Sequence, residues 1–311
     1  MSNQALVHKN AGAAVLGFVR AAVGLIWLIK ILTDPFTYMA EFPTASFNPK
    51  GILNFVPLSF WELVLDQTWL IAFKGILLIL LILFLVGIRP FPLVALATAV
   101  ALTLHQEMAR GFTHTSHQEL PALMCVYVLA AFPSADAFSW PARRRQNALK
   151  GSYAAALVAM AILVVLPYSA IAAYRIAHSA PEVFTSNTMP HYVGLLAGLD
   201  VDVWQPGLKL LEYPVLYPLL KVGFVLTSLL ELLSPIALVS RRFRAVWVPG
   251  IIAFHLSTSA LMHIFFWESV VLVLLLFTTL PQKAVDAGAS LMRRLQEVRQ
   301  EEKVLEPSPS P

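Results

Sequence analysis

The residues that could do chemistry in this chain are ionisable side chains set in or at the ends of long apolar runs. Lys74, Arg175, Lys221, Glu231, His255 and His263 are of this kind, as are Arg20, Lys30, His105 and Glu107. His114, His117, Glu119 and Glu268 stand close by. A charged group at the centre of a bilayer costs about 2.5–3.5 kcal/mol or more, so each one asks for a partner, a wet cavity or a function. Histidines suit proton transfer, because their unperturbed pKa of about 6.5 lies near neutrality. Arginine, charged at any ordinary pH, suits the gripping of an anion.

Plainer readings stand beside these. Lys30, Lys74 and Lys221 could extend their stems to the outer headgroups, and for Lys30 this is the expected arrangement. Arg20 is expected to pair with a buried acid such as Glu231. The run His105-Gln-Glu107…His114-Thr-Ser-His117-Gln-Glu119 places two histidines at i, i+3. Turn character around Gly111 and the absence of an HExxH-type template favour hydrogen-bonded caps over metal ligands, so no metal site is assigned. His255 either hydrogen-bonds a neighbouring helix or serves in acid–base chemistry. Cys125, the single cysteine, excludes an internal disulfide and a CxxC redox pair, and its apolar surroundings read as core.

The elements that must position these residues are membrane spans. Of 311 residues, 58% are hydrophobic and 13% are charged, far from the soluble norm of about 45–50% and about 25%. The apolar excess comes in runs long enough to cross ~30 Å of hydrocarbon as helices of ~20 residues. Only a helix satisfies its backbone polar groups within one segment, and runs such as 76–86 lack the alternation of barrel strands.

The expected fold is therefore an all-α integral membrane bundle of about eight helices. The spans are Ala13–Leu32, Thr68–Ile88, Phe91–Leu104, Gln118–Ala135, Ser152–Arg175, Val215–Ser240, Val246–His263 and Ser269–Leu280. The membrane domain covers residues 1–281. Residues 282–311 form a tail whose Val285, Ala289, Met292, Leu295 and Val298 recur at helical intervals. That tail reads as an amphipathic helix on the membrane or on the protein's own cytoplasmic face, ending in a disordered Pro/Ser stretch.

Basic residues orient the bundle. With the N-terminus inside, the inner loops hold Lys9, Arg89, Arg143, Arg144, Arg145, Lys150, Arg241, Arg242 and Arg244. The outer loops hold only Lys50, Arg110 and Lys209, so the positive-inside bias places both termini in the cytoplasm. The basic balance thus reports orientation, and nucleic acid is not an expected partner. In this arrangement nearly all the embedded ionisable residues fall in the outer half, with Glu231 apart from them in the inner half. A cavity facing the extracytoplasmic side, richer in bases than acids, would suit an anionic ligand.

Four stretches resemble a known family. They are His117 with the helix that follows it and Phe132-Pro-Ser-Ala-Asp136, then Tyr168-Ser-Ala-Ile-Ala-Ala-Tyr-Arg175. Next come Leu229-Leu-Glu231-Leu-Leu-Ser-Pro-Ile with the basic Arg241-Arg-Phe-Arg244, and last Phe254-His255 with Phe265-Phe-Trp267. Their order and spacing are similar to the horizontally transferred transmembrane (HTTM) domain, the membrane domain of the vitamin K-dependent gamma-carboxylase. The resemblance implies chemistry on the extracytoplasmic face, with His117 assisting a lysine base that deprotonates a reduced quinone. Arg175 stands where that lysine would be, and a guanidinium with pKa above ~12 cannot serve as the base. The large lumenal domain that grips the carboxylase's protein substrate has no counterpart in this sequence. Gamma-carboxylation is therefore not expected.

The resulting expectation is a protein of a bacterial cytoplasmic membrane that acts on a lipid-soluble, quinol-like or small anionic ligand. His117, Arg175 and His255 are the catalytic candidates, and Lys74, Lys221, Glu231 and His263 the binding candidates. A quinone or hydroquinone is the implied cofactor, and the bilayer the first partner. The alternative is a non-enzymatic assembly, maturation or immunity component with a membrane or soluble protein partner. A transporter ranks third, for want of inverted repeats and paired broken helices.

Overall fold

Long apolar runs with few breakers leave the backbone no solvent to bond to, and the helix is the form that closes its own hydrogen bonds. The computed structural model describes residues 11–49, 54–112, 119–140, 151–179, 182–198 and 204–305. Eight apolar helices and a tail helix organise it: α1 Ala13–Thr33, α2 Gln67–Val86, α3 Phe91–Phe112, α4 Leu120–Ala131, α5 Ser152–Ser179, α6 Tyr217–Leu232, α7 Arg241–Met262, α8 Trp267–Phe277 and α9 Leu280–Leu305. Among the described residues, six helical stretches are long and apolar enough to cross a membrane, or seven if the bent pair α8 and α9 counts as one span. With no strand among the described residues, this is a polytopic helical membrane protein.

Three expected spans differ in detail. At 12 and 11 residues, α4 and α8 are about 18 Å and 16 Å long at 1.5 Å per residue, too short for ~30 Å of hydrocarbon. Short helices survive at membrane depth because protein, not lipid, surrounds their ends. Cys125, Val126 and Leu129 on α4, and Leu272, Val273 and Leu276 on α8, are buried in the one large apolar core shared with α1, α3, α5 and α7. The expected span Val215–Ser240 is broken. Its helix α6 stops at Leu232, ahead of Ser234 and Pro235. Proline lacks the N–H that would continue the ladder, and the Ser234 hydroxyl donates instead to the Val165 carbonyl at 3.0 Å. The tail helix leaves α8 at 73°; Val285 packs on the core, and residues 286–297 are exposed.

Arg20 corrects an expectation. It is fully buried, yet it does not meet Glu231. Its guanidinium donates to the carbonyls of Leu85 and Phe138 and lies 5.3 Å from the centre of the Phe91 ring. The Leu85 carbonyl belongs to the last turn of α2, where no intrahelical donor is available. Arg20 is thus a helix cap supplied from α1. Gly87 makes room for it: the backbone there is left-handed, and a Cβ would sit 2.0 Å from Arg20 Nη1.

Candidate functional site

On α5, Val164, Tyr168, Ile171 and Arg175 recur at intervals of four and three residues, which stacks them on one face of the helix. Phe224, Ser228 and Glu231 do the same on α6. The two faces meet. Arg175 Nη1 donates to Glu231 Oε2 at 2.7 Å and to Ser228 Oγ at 2.9 Å. The guanidinium lies 4.8 Å from the centre of the Phe224 ring, so all three residues of the α6 stripe hold the same arginine. A cation over an aromatic face and a charge-assisted hydrogen bond reinforce one another here.

Two turns deeper on α5, the Tyr168 hydroxyl and His255 Nε2 are 2.7 Å apart. His255 comes from α7 and is 3% exposed. The Phe254, Phe266 and Tyr168 rings lie around it at 5.1, 5.3 and 5.9 Å. Its Nδ1 is buried without a hydrogen-bond partner. Arg175, Glu231, Tyr168 and His255 all border one cavity of about 450 Å³ between α5, α6, α7 and α8. Pro121 from the first turn of α4 and Ser269 from the first turn of α8 close its far side. The volume suits a small organic ligand, for which ~300–1,000 Å³ is usual.

A second polar cluster occupies the adjoining helix ends. Lys30 Nζ stands 2.7 Å from Glu268 and 2.9 Å from Glu119. Its neighbour along the chain, Asp34, has Oδ2 3.1 Å from His105 Nε2, within ion-pair range but not aligned for a hydrogen bond. Lys74 donates to the Asp34 carbonyl at 2.8 Å and lies 5.6 Å from the centre of the Phe36 ring. Lys30 therefore does not reach for the headgroups as expected. It is held between two carboxylates at the N-terminal ends of α4 and α8, where negative charge also complements the helix dipoles.

The structure brings Arg175, His255 and Glu231 together, with Arg175 and not Arg20 as the partner of Glu231. It does not bring the remaining binding candidates to the cavity wall. Lys74 belongs to the Asp34 cluster, and Lys221 donates to the Thr185 carbonyl at 3.0 Å. His263 caps α7 in a left-handed conformation, with φ of 56°. His117, with His114, lies outside the described residues. Among the described residues no group of three or more His, Cys, Asp or Glu is placed to hold a metal ion.

Tyr168, Ser228 and Phe224 were missed in the sequence, although a signal existed. Tyr168 precedes Arg175 by seven residues, two helical turns, and Ser228 precedes Glu231 by three. Neutral residues on the same stripe as a buried charge are the first places to seek its partners.

Fold and site together define a polytopic helical membrane protein with a largely apolar cavity between its helices, bordered by two buried polar pairs. Compared with models of known families, with characterised proteins and with solved structures, the chain finds no match in any of the three.

Proposed function

We propose that this chain is an HTTM-type protein of a bacterial cytoplasmic membrane, with about eight spans and both termini inside. Its cavity binds a lipid-soluble, quinol-like ligand on the extracytoplasmic side, and the protein acts on that ligand as an enzyme other than a gamma-carboxylase. One observation carries the ligand reading. Two hydrogen-bonded polar pairs, Tyr168 with His255 and Arg175 with Glu231, border a single cavity between the helices. Such groups are costly at membrane depth, and a cavity of this size beside them would otherwise be filled by side chains. The histidine–phenol pair can take up or return a proton, as quinol chemistry requires.

Mass spectrometry of organic extracts from the detergent-purified protein tests the proposal. A quinone-like molecule is expected in the wild type and not in empty micelles. In Arg175→Lys, which keeps the charge but not the planar fork, its amount is expected to fall about tenfold, or ~1.4 kcal/mol of binding, a larger loss than the accompanying loss of fold stability. An extract no different from empty micelles sinks the ligand reading. The alternative, a non-enzymatic assembly component, draws on the same arginine: it is already engaged by Glu231 and Ser228, as a residue that only joins helices would be. An empty cavity together with full tolerance of His255→Ala would favour it.

The topology has its own test. On a Cys125→Ala background, Asn147→Cys is expected to resist an impermeant thiol reagent in intact cells, because its loop carries Arg143, Arg144, Arg145 and Lys150. Strong labelling there would overturn the eight-span arrangement.

A further inference from the structure

The cavity has a polar floor and an apolar mouth. Tyr168, Glu231, His255 and Ser269 are 9%, 4%, 3% and 8% exposed, whereas Ile171 on the same wall is 38% exposed. The partly exposed wall residues Pro167, Phe254, Ile264 and Phe266 are also apolar, and the one charged side chain that is partly exposed on this wall, Arg175 at 21%, is tied to Glu231. Ile171 lies on the face of α5 that carries Val164, Tyr168 and Arg175 and is itself open to the outside, whereas Ile162 and Leu166, 44% and 56% exposed, look out from the opposite side of the helix. Between five and six residues beyond the centre of a 28-residue helix, Ile171 lies about 8 Å from that centre, which, for a helix centred in the bilayer, is well inside the ~15 Å half-thickness of the hydrocarbon. A mouth at that depth, walled by apolar side chains apart from Arg175 one turn nearer the helix end, meets lipid rather than water.

The charges in and beside the cavity are already met from within. The Arg175 guanidinium is 2.7 Å from Glu231. The positive ends of α4 and α8, which border the cavity through Pro121 and Ser269, carry Glu119 and Glu268 with Lys30 between them. An anionic headgroup would find no uncommitted cation among these groups and would meet the Glu231 carboxylate on the wall. Hydrogen-bonding capacity, by contrast, remains at the floor in the Tyr168 and Ser269 hydroxyls and the imidazole of His255.

The geometry points to lateral access: the cavity takes a neutral amphiphile with a hydroxyl or carbonyl head, which enters from the bilayer past Ile171 and seats its oxygen on the Tyr168–His255 floor with its chain in the mouth. This rests on the reading of the cavity as a ligand site, and narrows the quinol-like or anionic ligand to a neutral one. It also replaces an aqueous opening by a lipid-facing one.

Photocrosslinking in reconstituted bilayers tests it. The probes are a long-chain fatty alcohol and the matching fatty acid, each with a diazirine near the head, and a short water-soluble diazirine carboxylate. The alcohol is expected to label peptides carrying Phe254, Ile264 and Phe266. Ile171→Trp, which fills the mouth, is expected to cut that labelling about tenfold, or ~1.4 kcal/mol. Ile162→Trp, exposed on the opposite side of α5 and away from the cavity, leaves it unchanged, and both variants keep the wild-type melting temperature. Equal labelling by the fatty acid overturns the neutral head. Labelling by the water-soluble probe, undiminished by Ile171→Trp, overturns the lateral route while leaving the cavity a ligand site. Absence of cavity labelling by all three probes, with no co-purifying ligand in the wild type, overturns both readings together.

Discussion

Arg175→Ala is expected to cost the folded protein about 3 kcal/mol or more, because it strands a buried carboxylate. Glu231 is 4% exposed, and its Oε2 takes a charge-assisted hydrogen bond of 2.7 Å from Arg175. The low end of the ~3–5 kcal/mol range for a broken buried pair applies, since the arginine side chain is itself 21% exposed and water can partly replace it. Loss of the cation from the Phe224 face adds ~0.5–1 kcal/mol. The double variant Arg175→Leu/Glu231→Leu is expected to recover most of the loss, because an apolar pair of similar volume removes the uncompensated charge. Unfolding in mixed micelles of the wild type, both single variants and the double variant measures the coupling between the two sites. If Arg175→Ala unfolds within ~1 kcal/mol of wild type, as an exposed pair would, the account of this pair as the joint between α5 and α6 is wrong.

A comparable loss is expected at Lys30. Replacing it with methionine keeps most of the stem but leaves the Glu119 and Glu268 side chains, 8% and 3% exposed, without the cation 2.9 and 2.7 Å away. Two carboxylates facing one another repel as well as lose their partner, so the expected cost is ~4 kcal/mol, within the range for broken buried pairs. The helix dipoles of α4 and α8 soften it slightly, by ~0.3–1 kcal/mol each. Neutralising one acid should restore part of the stability: Lys30→Met/Glu268→Gln is expected to be more stable than Lys30→Met alone. Glu268 is the acid to change, because its Oε2 is already buried without a hydrogen-bond partner. Should Lys30→Met/Glu268→Gln prove no more stable than Lys30→Met, the cluster would be a contact of convenience. The stem of Lys30 would then carry the effect through packing.

These two sites explain how the helix ends are tied. Lys30 joins α1 to the N-terminal ends of α4 and α8, and Arg175 joins α5 to α6. The cavity lies between the two ties, where α7 approaches α5 through the Tyr168–His255 contact. A bundle held this way does not need long helices everywhere. α4 and α8 remain short because charged anchors fix their starts and surrounding helices bury their lengths.

Composition and run length alone determined that the chain is a helical membrane protein, because hydrocarbon allows few other ways to satisfy a backbone. They also located α1, α2, α3, α5 and α7, whose apolar runs meet turn or polar residues at both ends. The tail helix α9 followed from its spacing of Val285, Ala289, Met292 and Leu295. The unusual side chains were legible as unusual for the same reason: Arg175, Glu231 and His255 stand out against apolar neighbours. Their partners were not legible. Glu231 can pair with Arg20 or Arg175 on any argument of charge, and only the antiparallel packing of α5 against α6 selects Arg175. Arg20 found two backbone carbonyls instead, because the end of α2 falls beside it with Gly87 leaving the space. Lys30 was expected at the headgroups, since the sequence separates it from Glu119 by 89 residues and from Glu268 by 238. The break at Ser234 and Pro235 and the shortness of α4 and α8 also waited on tertiary structure, because an apolar run reads alike whether protein or lipid surrounds it. Hydropathy records what each residue avoids, which is water. Partner choice depends on which helix faces come within hydrogen-bonding distance, about 3 Å, and that is decided by how the helices pack.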